Sequence, residues 1–218
     1  MKESTETIGK ALVAAIPYVG GSIASLIGDY QAKRKHERLE HFFNSLQVDL
    51  NNLQEKINNE FISTDDFLDV FEETSKKIVN ERTEEKRLAF KNILLNAIIS
   101  KDITYDRVEE FLRLLERLRP DHILFLSIFN DPLKFNLEQG KPVSNGGGFS
   151  TSIKQIMKQL LPNWEEAKIL DVTSDLENER LLKDFVRNYG AIMTDRGINH
   201  LEGKLTDKGL QFYDLITN

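Results

Sequence analysis

Apolar residues recur every three or four positions through most of residues 1–119, and that spacing predicts helices. Ile8, Leu12, Ala15 and Ile16 mark a first helix over about residues 5–16, closed by Pro17 and the Gly20-Gly21 pair. A second is expected from Ser22 to about residue 57, because Leu39, Phe42, Leu46, Leu50, Leu53 and Ile57 form a coiled-coil-like seam with no proline or glycine after Gly28. Ser63-Thr64-Asp65-Asp66 reads as the start of a third helix carrying Phe67, Val70, Phe71, Thr74 and Ile78. Thr83-Glu84-Glu85 opens a fourth, in which Leu88, Phe90, Ile93, Leu94, Leu95, Ala97, Ile98 and Ile99 cover most of the circumference. A helix apolar all round is expected at the centre of its domain. Thr104 caps a fifth, with Val108, Phe111, Leu112, Leu115 and Leu118 inward and Arg113, Glu116 and Arg117 outward, ending at Arg119-Pro120. Residues 1–119 are thus expected to form a helical bundle domain.

From Pro120 the pattern shortens. A brief apolar helix over residues 121–129 stops at Asn130-Asp131-Pro132, and a turn-rich linker with Gly140, Pro142 and Asn145-Gly146-Gly147-Gly148 follows. Next come a helix near residues 151–161, a break at Pro162, and a helix over about residues 174–188. A β-hairpin is expected from residues 191–194, a turn around Asp195-Arg196-Gly197, and residues 198–205, before a closing helix that begins at Thr206. Two stretches, Leu181-Leu182-x-x-Phe185-Val186-x-x-Tyr189-Gly190-Ala191-Ile192 and Leu205-Thr206-x-x-Gly209-x-x-Phe212, resemble the winged helix-turn-helix superfamily. The resemblance implies a last helix of the helix-turn-helix, a turn into the first wing strand and the start of the final helix. The expected fold class is therefore mainly α: an N-terminal helical bundle followed by a winged-helix-like α+β domain with a small β-hairpin over residues 120–218. Such a scaffold serves DNA binding, dimerisation and protein docking alike. At the other end, Ile16-Pro17-Tyr18-Val19-Gly20-Gly21 before a long charged helix resembles bacterial helical proteins of unassigned function, and loosely the apolar helices of bacterial pore-forming toxins. That likeness implies a bacterial origin and a role in cell defence or stress, and transfers no site residue.

Charge narrows the functional classes. The formal net charge is −6, and each part, divided after Arg119, carries −3. A generic nucleic-acid binder draws its affinity from a surplus of lysine and arginine, so DNA contact would need a local patch. The candidates are Lys154, Lys158, Lys183, Arg187 and Arg196, with Lys183 and Arg187 one turn apart on the expected helix. Ser174-Asp175-Leu176-Glu177-Asn178-Glu179, at that helix's expected start, places three carboxylates where a DNA reader wants basic or amide side chains. The absence of cysteine excludes disulfides, thiolate metal sites and a cysteine nucleophile. Together with an N-terminus that lacks a basic start and a cleavage site, it leads to a cytoplasmic expectation.

Catalytic and metal-binding patterns do not emerge. His36 and His41 are five apart, about 140° around a helix, rather than the four apart that a zinc-protease helix needs, so a solvated charged face is expected there. His122 and His200 have no local partner of catalytic spacing. The glycine run at residues 146–148 lacks the lysine-serine/threonine ending of a phosphate loop. No catalytic residue, cofactor or metal is assigned, and no small-molecule substrate is evident. Residues 11–27 carry no charge, and with Pro17, Gly20 and Gly21 in the middle they suit a helical hairpin better than a straight membrane span. Leu12, Ile16, Val19, Ile23 and Ile27 are the candidate membrane or oligomer contacts, beside the basic residues Lys33, Arg34, Lys35 and Arg38. The leading expectation is a non-enzymatic scaffold acting through a homo-oligomer or a protein partner. A membrane-active effector and a DNA-binding regulator are the alternatives.

Overall fold

The computed structural model describes residues 19–29, 33–100, 103–138, 151–193 and 197–217. The expected first helix, with Leu12 and Ile16, lies outside them. The chain divides into two compact units, Met1–Arg117 with Leu215–Asn218, and Leu118–Asp214.

In the first unit, α1 (Gly20–Asp29), α2 (Lys33–Asn52), α3 (Asp65–Asn80), α4 (Glu84–Ile99) and α5 (Tyr105–Arg117) follow in order, with two short 3-10 turns, Gln54–Lys56 and Phe61–Ser63, between α2 and α3. Helix α3 starts where the sequence signals it: the Thr64 hydroxyl accepts from the Phe67 amide at 3.2 Å, with Asp65 and Asp66 in the first turn. Phe42, Phe43, Phe67 and Phe71 of α2 and α3 fill the core between these helices, with the Phe43 and Phe71 rings stacked at 6.3 Å. From Ala89 onward helix α4 is buried nearly all round, with Phe90, Ile93, Leu94, Ala97 and Ile98 closed to solvent, whereas Leu88 in its earlier turns is exposed. Two polar side chains on it are buried with their needs met. Lys86 pairs with Glu81 at 3.3 Å and donates to the Glu116 carbonyl at 3.0 Å, and Asn92 donates to the Ile216 carbonyl at 2.9 Å. In place of the expected single helix over residues 22–57 there are two, α1 and α2, and the second ends early, at Asn52. Asn58 is drawn to the C-terminal end of α4, its amide donating to the Ile98 carbonyl at 2.8 Å and its side chain to the Ser100 carbonyl at 3.2 Å.

The second unit contains α6 (Pro120–Asn130), α7 (Pro132–Glu138), β1 (Thr151–Ser152), α8 (Ile153–Leu160), α9 (Glu166–Asn178), α10 (Phe185–Asn188), β2 (Ile192–Met193), a 3-10 turn (Gly197–Leu201) and α11 (Asp207–Thr217), whose last residues from Leu215 group with the first unit. Its core is a chain of rings: Trp164 to Phe125 at 5.3 Å, Phe125 to Phe129 at 6.2 Å, Phe129 to Phe185 at 5.0 Å and Phe185 to Tyr189 at 5.6 Å.

Here the winged-helix expectation is overturned. The predicted hairpin is not formed among the described residues: β2 pairs antiparallel with β1, two residues each, and Gly197–Leu201 winds into a 3-10 turn. The described chain holds eleven α-helices and this one short strand pair, so the helical part of the expected class stands and the α+β wing does not. The helix expected over residues 174–188 is also absent. Helix α9 starts at Glu166 and ends at Asn178, and Arg180 and Asp184 then take positive φ angles of 60° and 52°, which breaks any continuous helix. The Leu205-Thr206-x-x-Gly209 signature has a local cause of its own. Thr206 accepts from the Gly209 amide at 3.0 Å and donates to the Arg180 carbonyl at 2.7 Å, and a Cβ on Gly209 would stand 2.2 Å from the Leu181 carbonyl oxygen.

Candidate functional site

The sequence-derived contact residues are dispersed. Ile23 and Leu26 face inward from α1, which packs on α3, Val19 just before the helix is buried too, and the Ser22 hydroxyl donates to Glu72 at 2.8 Å. Ile27 is half-buried, and the small residues Gly21, Ala24, Ser25 and Gly28 occupy the outer side, where a Cβ at Gly21 or Gly28 would meet open space. Among the described residues no helix is long and apolar enough to cross a membrane.

The basic candidates of the second unit fare similarly. Lys154 forms an ion pair with Glu166 at 2.7 Å. Lys158 is exposed on α8, Lys183 lies in the turn before α10, and Arg187 is exposed on α10. Lys183 and Arg187 therefore do not share a helix, and Arg196 lies outside the described residues. Of the carboxylates expected to front a recognition helix, Asp175 and Glu177 sit instead in the last turn of α9 and hold other elements, and Glu179 is its C-cap. Glu177 accepts from the Phe185 and Val186 amides at 2.5 and 3.0 Å, satisfying the start of α10. Asp175 accepts from His122 at 3.1 Å and from Arg119 at 3.4 Å.

That His122–Asp175 contact spans 53 residues and was invisible to local spacing. The ring is almost fully buried, and its Nδ1 accepts from the Arg119 amide at 2.8 Å, which leaves Nε2 to carry the proton toward Asp175. The pair ties α6 to α9 and closes the first turn of α6, and among the described residues no serine or threonine hydroxyl bonds to it.

The most chemically loaded concavity lies in the first unit, between α2 and α4. Arg34, Arg38 and His41 recur at helical spacing on α2, facing Glu84, Arg87, Leu88 and Lys91 of α4, with Phe42, Ser45 and Ile78 beneath. An inner recess of about 100 Å³ continues into an outer one of about 300 Å³, and both are lined by Arg38, His41, Glu84 and Arg87. Two guanidiniums are fixed by the carbonyls at the end of α3. Nη1 of Arg38 donates to Val79 at 2.9 Å, and Nη1 of Arg87 to Arg82 at 2.8 Å and Glu81 at 3.3 Å. These bonds suit cations at a helix C-terminus and leave the other N–H groups of both side chains without acceptors among the described residues. Lys91 is committed to Asp49 at 2.5 Å, and Lys33 and Glu37 pair along α2 at 3.9 Å. Three guanidiniums thus share the recesses with two carboxylates, Glu37 and Glu84, and Glu84 has no basic partner among the described residues. The i, i+4, i+7 spacing of Arg34, Arg38 and His41 was readable in the sequence, but their meeting with Arg87 depends on how α2 packs on α4.

His36, expected on a solvated face, is buried on α2, whereas His41 is exposed. Glu81, beside the cleft, is pushed upward by burial. The hydrogen bonds from the Thr83 amide and hydroxyl and the nearby Lys86 charge outweigh this and hold its carboxyl below the ordinary range. Compared with protein-family models, curated proteins and solved structures, the chain matches none.

Proposed function

We propose that this protein is a non-enzymatic scaffold that works through protein–protein contacts and assembles with copies of itself through the outer edge of α7. The observation that carries this reading is the exposure of Leu133 and Leu137, at 36 % and 70 %, four residues apart on one helix face. Pro132 and Asn136 of the same helix are buried, and α7 packs against the 3-10 turn at Gly197–Leu201, so the helix is seated while its leucines project outward. Paired apolar side chains held rigidly at a surface are what a self-complementary contact uses. Leu210 of α11, 43 % exposed, adds a third large apolar side chain to the solvent surface of this unit.

Light scattering on the full chain across a wide concentration range tests the reading. A multimer that falls to a monomer when Leu133 and Leu137 are both changed to Asp is the expected result. A chain that stays monomeric at every concentration, or a multimer indifferent to the double change, overturns it.

A further inference from the structure

We propose that the cleft between α2 and α4 binds a small organic phosphate, with the phosphate group on Arg34, Arg38 and Arg87 and an apolar body against Phe42, Ile78 and Leu88. Several observations converge on that ligand. Arg38 and Arg87 each spend one nitrogen on backbone carbonyls and hold the rest of a rigid donor fork toward the cleft that both line. Such forks, fixed before a ligand arrives, are the ordinary way proteins grip oxyanions. Arg34 has no acceptor among the described residues and lines the outer recess beside them. Three guanidiniums can each find an oxygen on the three outer oxygens of a phosphate monoester, whereas a carboxylate offers only two.

The rest of the ligand is set by the walls. Phe42 and Ile78 form a buried apolar floor, and Leu88, 52 % exposed, stands at the side. Leaving a leucine half in water beside arginines is unfavourable for the empty protein and favourable once an apolar group covers it. Recesses of about 100 and 300 Å³ fit a phosphate and a single ring rather than an extended polymer. Glu84 and Glu37 both line the outer recess and oppose the anion, Glu37 with Lys33 beside it and Glu84 with no basic partner among the described residues, so removal of the Glu84 charge strengthens binding.

The experiment titrates phenyl phosphate into the full-length chain and follows backbone amide shifts by NMR. Saturable shifts confined to residues 34–45, 78–82 and 84–91 are expected. Affinity should fall about tenfold in Arg34→Glu and rise about threefold in Glu84→Gln, because one change reverses an attractive charge and the other deletes a repulsive one. A gain of affinity cannot arise from misfolding, and neither change touches α7, so failure here is separate from failure of the self-assembly reading. Inorganic phosphate, which lacks the body, and benzoate, which lacks the phosphate, should both bind more weakly. Absent or scattered shifts, or affinity unmoved by both variants, overturn the site. Benzoate binding as tightly as phenyl phosphate overturns the phosphate assignment, and inorganic phosphate doing so overturns the apolar half.

Discussion

The two units bury phenylalanines by different means. In the first, α2 to α5 are 13 to 20 residues long and present continuous apolar stripes to one another, so that packing of side chain on side chain supplies most of the cohesion. In the second, α7 and α10 have seven and four residues, and its turns are held by polar side chains that reach far along the chain. Asp175 meets His122, Glu177 meets the start of α10, and Thr206 meets Arg180. A unit built on stripes draws more of its cohesion from apolar contact than from any one exposed hydrogen bond. A unit built on such ties is sensitive to single polar or steric changes.

Three substitutions probe that contrast, in falling order of effect. Phe71→Ala removes a fully buried ring that meets Phe42, Phe43 and Phe67, and should cost about 3–5 kcal/mol in urea unfolding. A cost below that of the polar and steric changes would show that the stripe is not the principal source of cohesion. Gly209→Ala forces a methyl against the Leu181 carbonyl and should cost about 1–3 kcal/mol, seen as a lowered melting temperature. A neutral outcome would mean that the turn at residues 176–182 yields easily, contrary to its role as a tie. The smallest effect is one of pH. The lowered pKa of Glu81 means that its contribution to stability is present above the ordinary carboxylate pKa and is lost as pH falls through the depressed value. Glu81→Gln should therefore flatten the acid limb of the stability curve. An unchanged limb would place the acid sensitivity of this unit in other carboxylates.

The same contrast decides what could be read in advance. The stripes and starts of α3, α4 and α5 are legible because long helices in a bundle obey the 3.6-residue period, and Thr64 with its two following aspartates marks a cap without tertiary help. The early end of α2 is not legible, since it depends on Asn58 reaching carbonyls 40 and 42 residues away. In the second unit, Ser174-Asp175 reads locally as a helix start, yet Asp175 is committed to His122 and the helix is already under way from Glu166. The alternating residues after Gly190 read as a wing, yet β2 finds its partner at Thr151–Ser152. Short strands and one-turn helices carry little intrinsic preference, so distant contacts select their form. For the cleft, the arginine spacing on α2 was visible while the partner face was not, because the packing of two helices brings them together.

The Leu181 carbonyl also couples the docking of α11 to the turn that follows α9. It accepts from the Thr206 amide at 3.0 Å and lies against the bare Cα of Gly209, so the first turn of α11 is shaped to a surface 25 residues upstream. That surface exists only after α9 has ended and Arg180 has turned into its left-handed conformation. The first turn of α11 is therefore coupled to that turn, and its amide protons are expected to gain protection from hydrogen exchange no earlier than those of residues 180–182 during refolding.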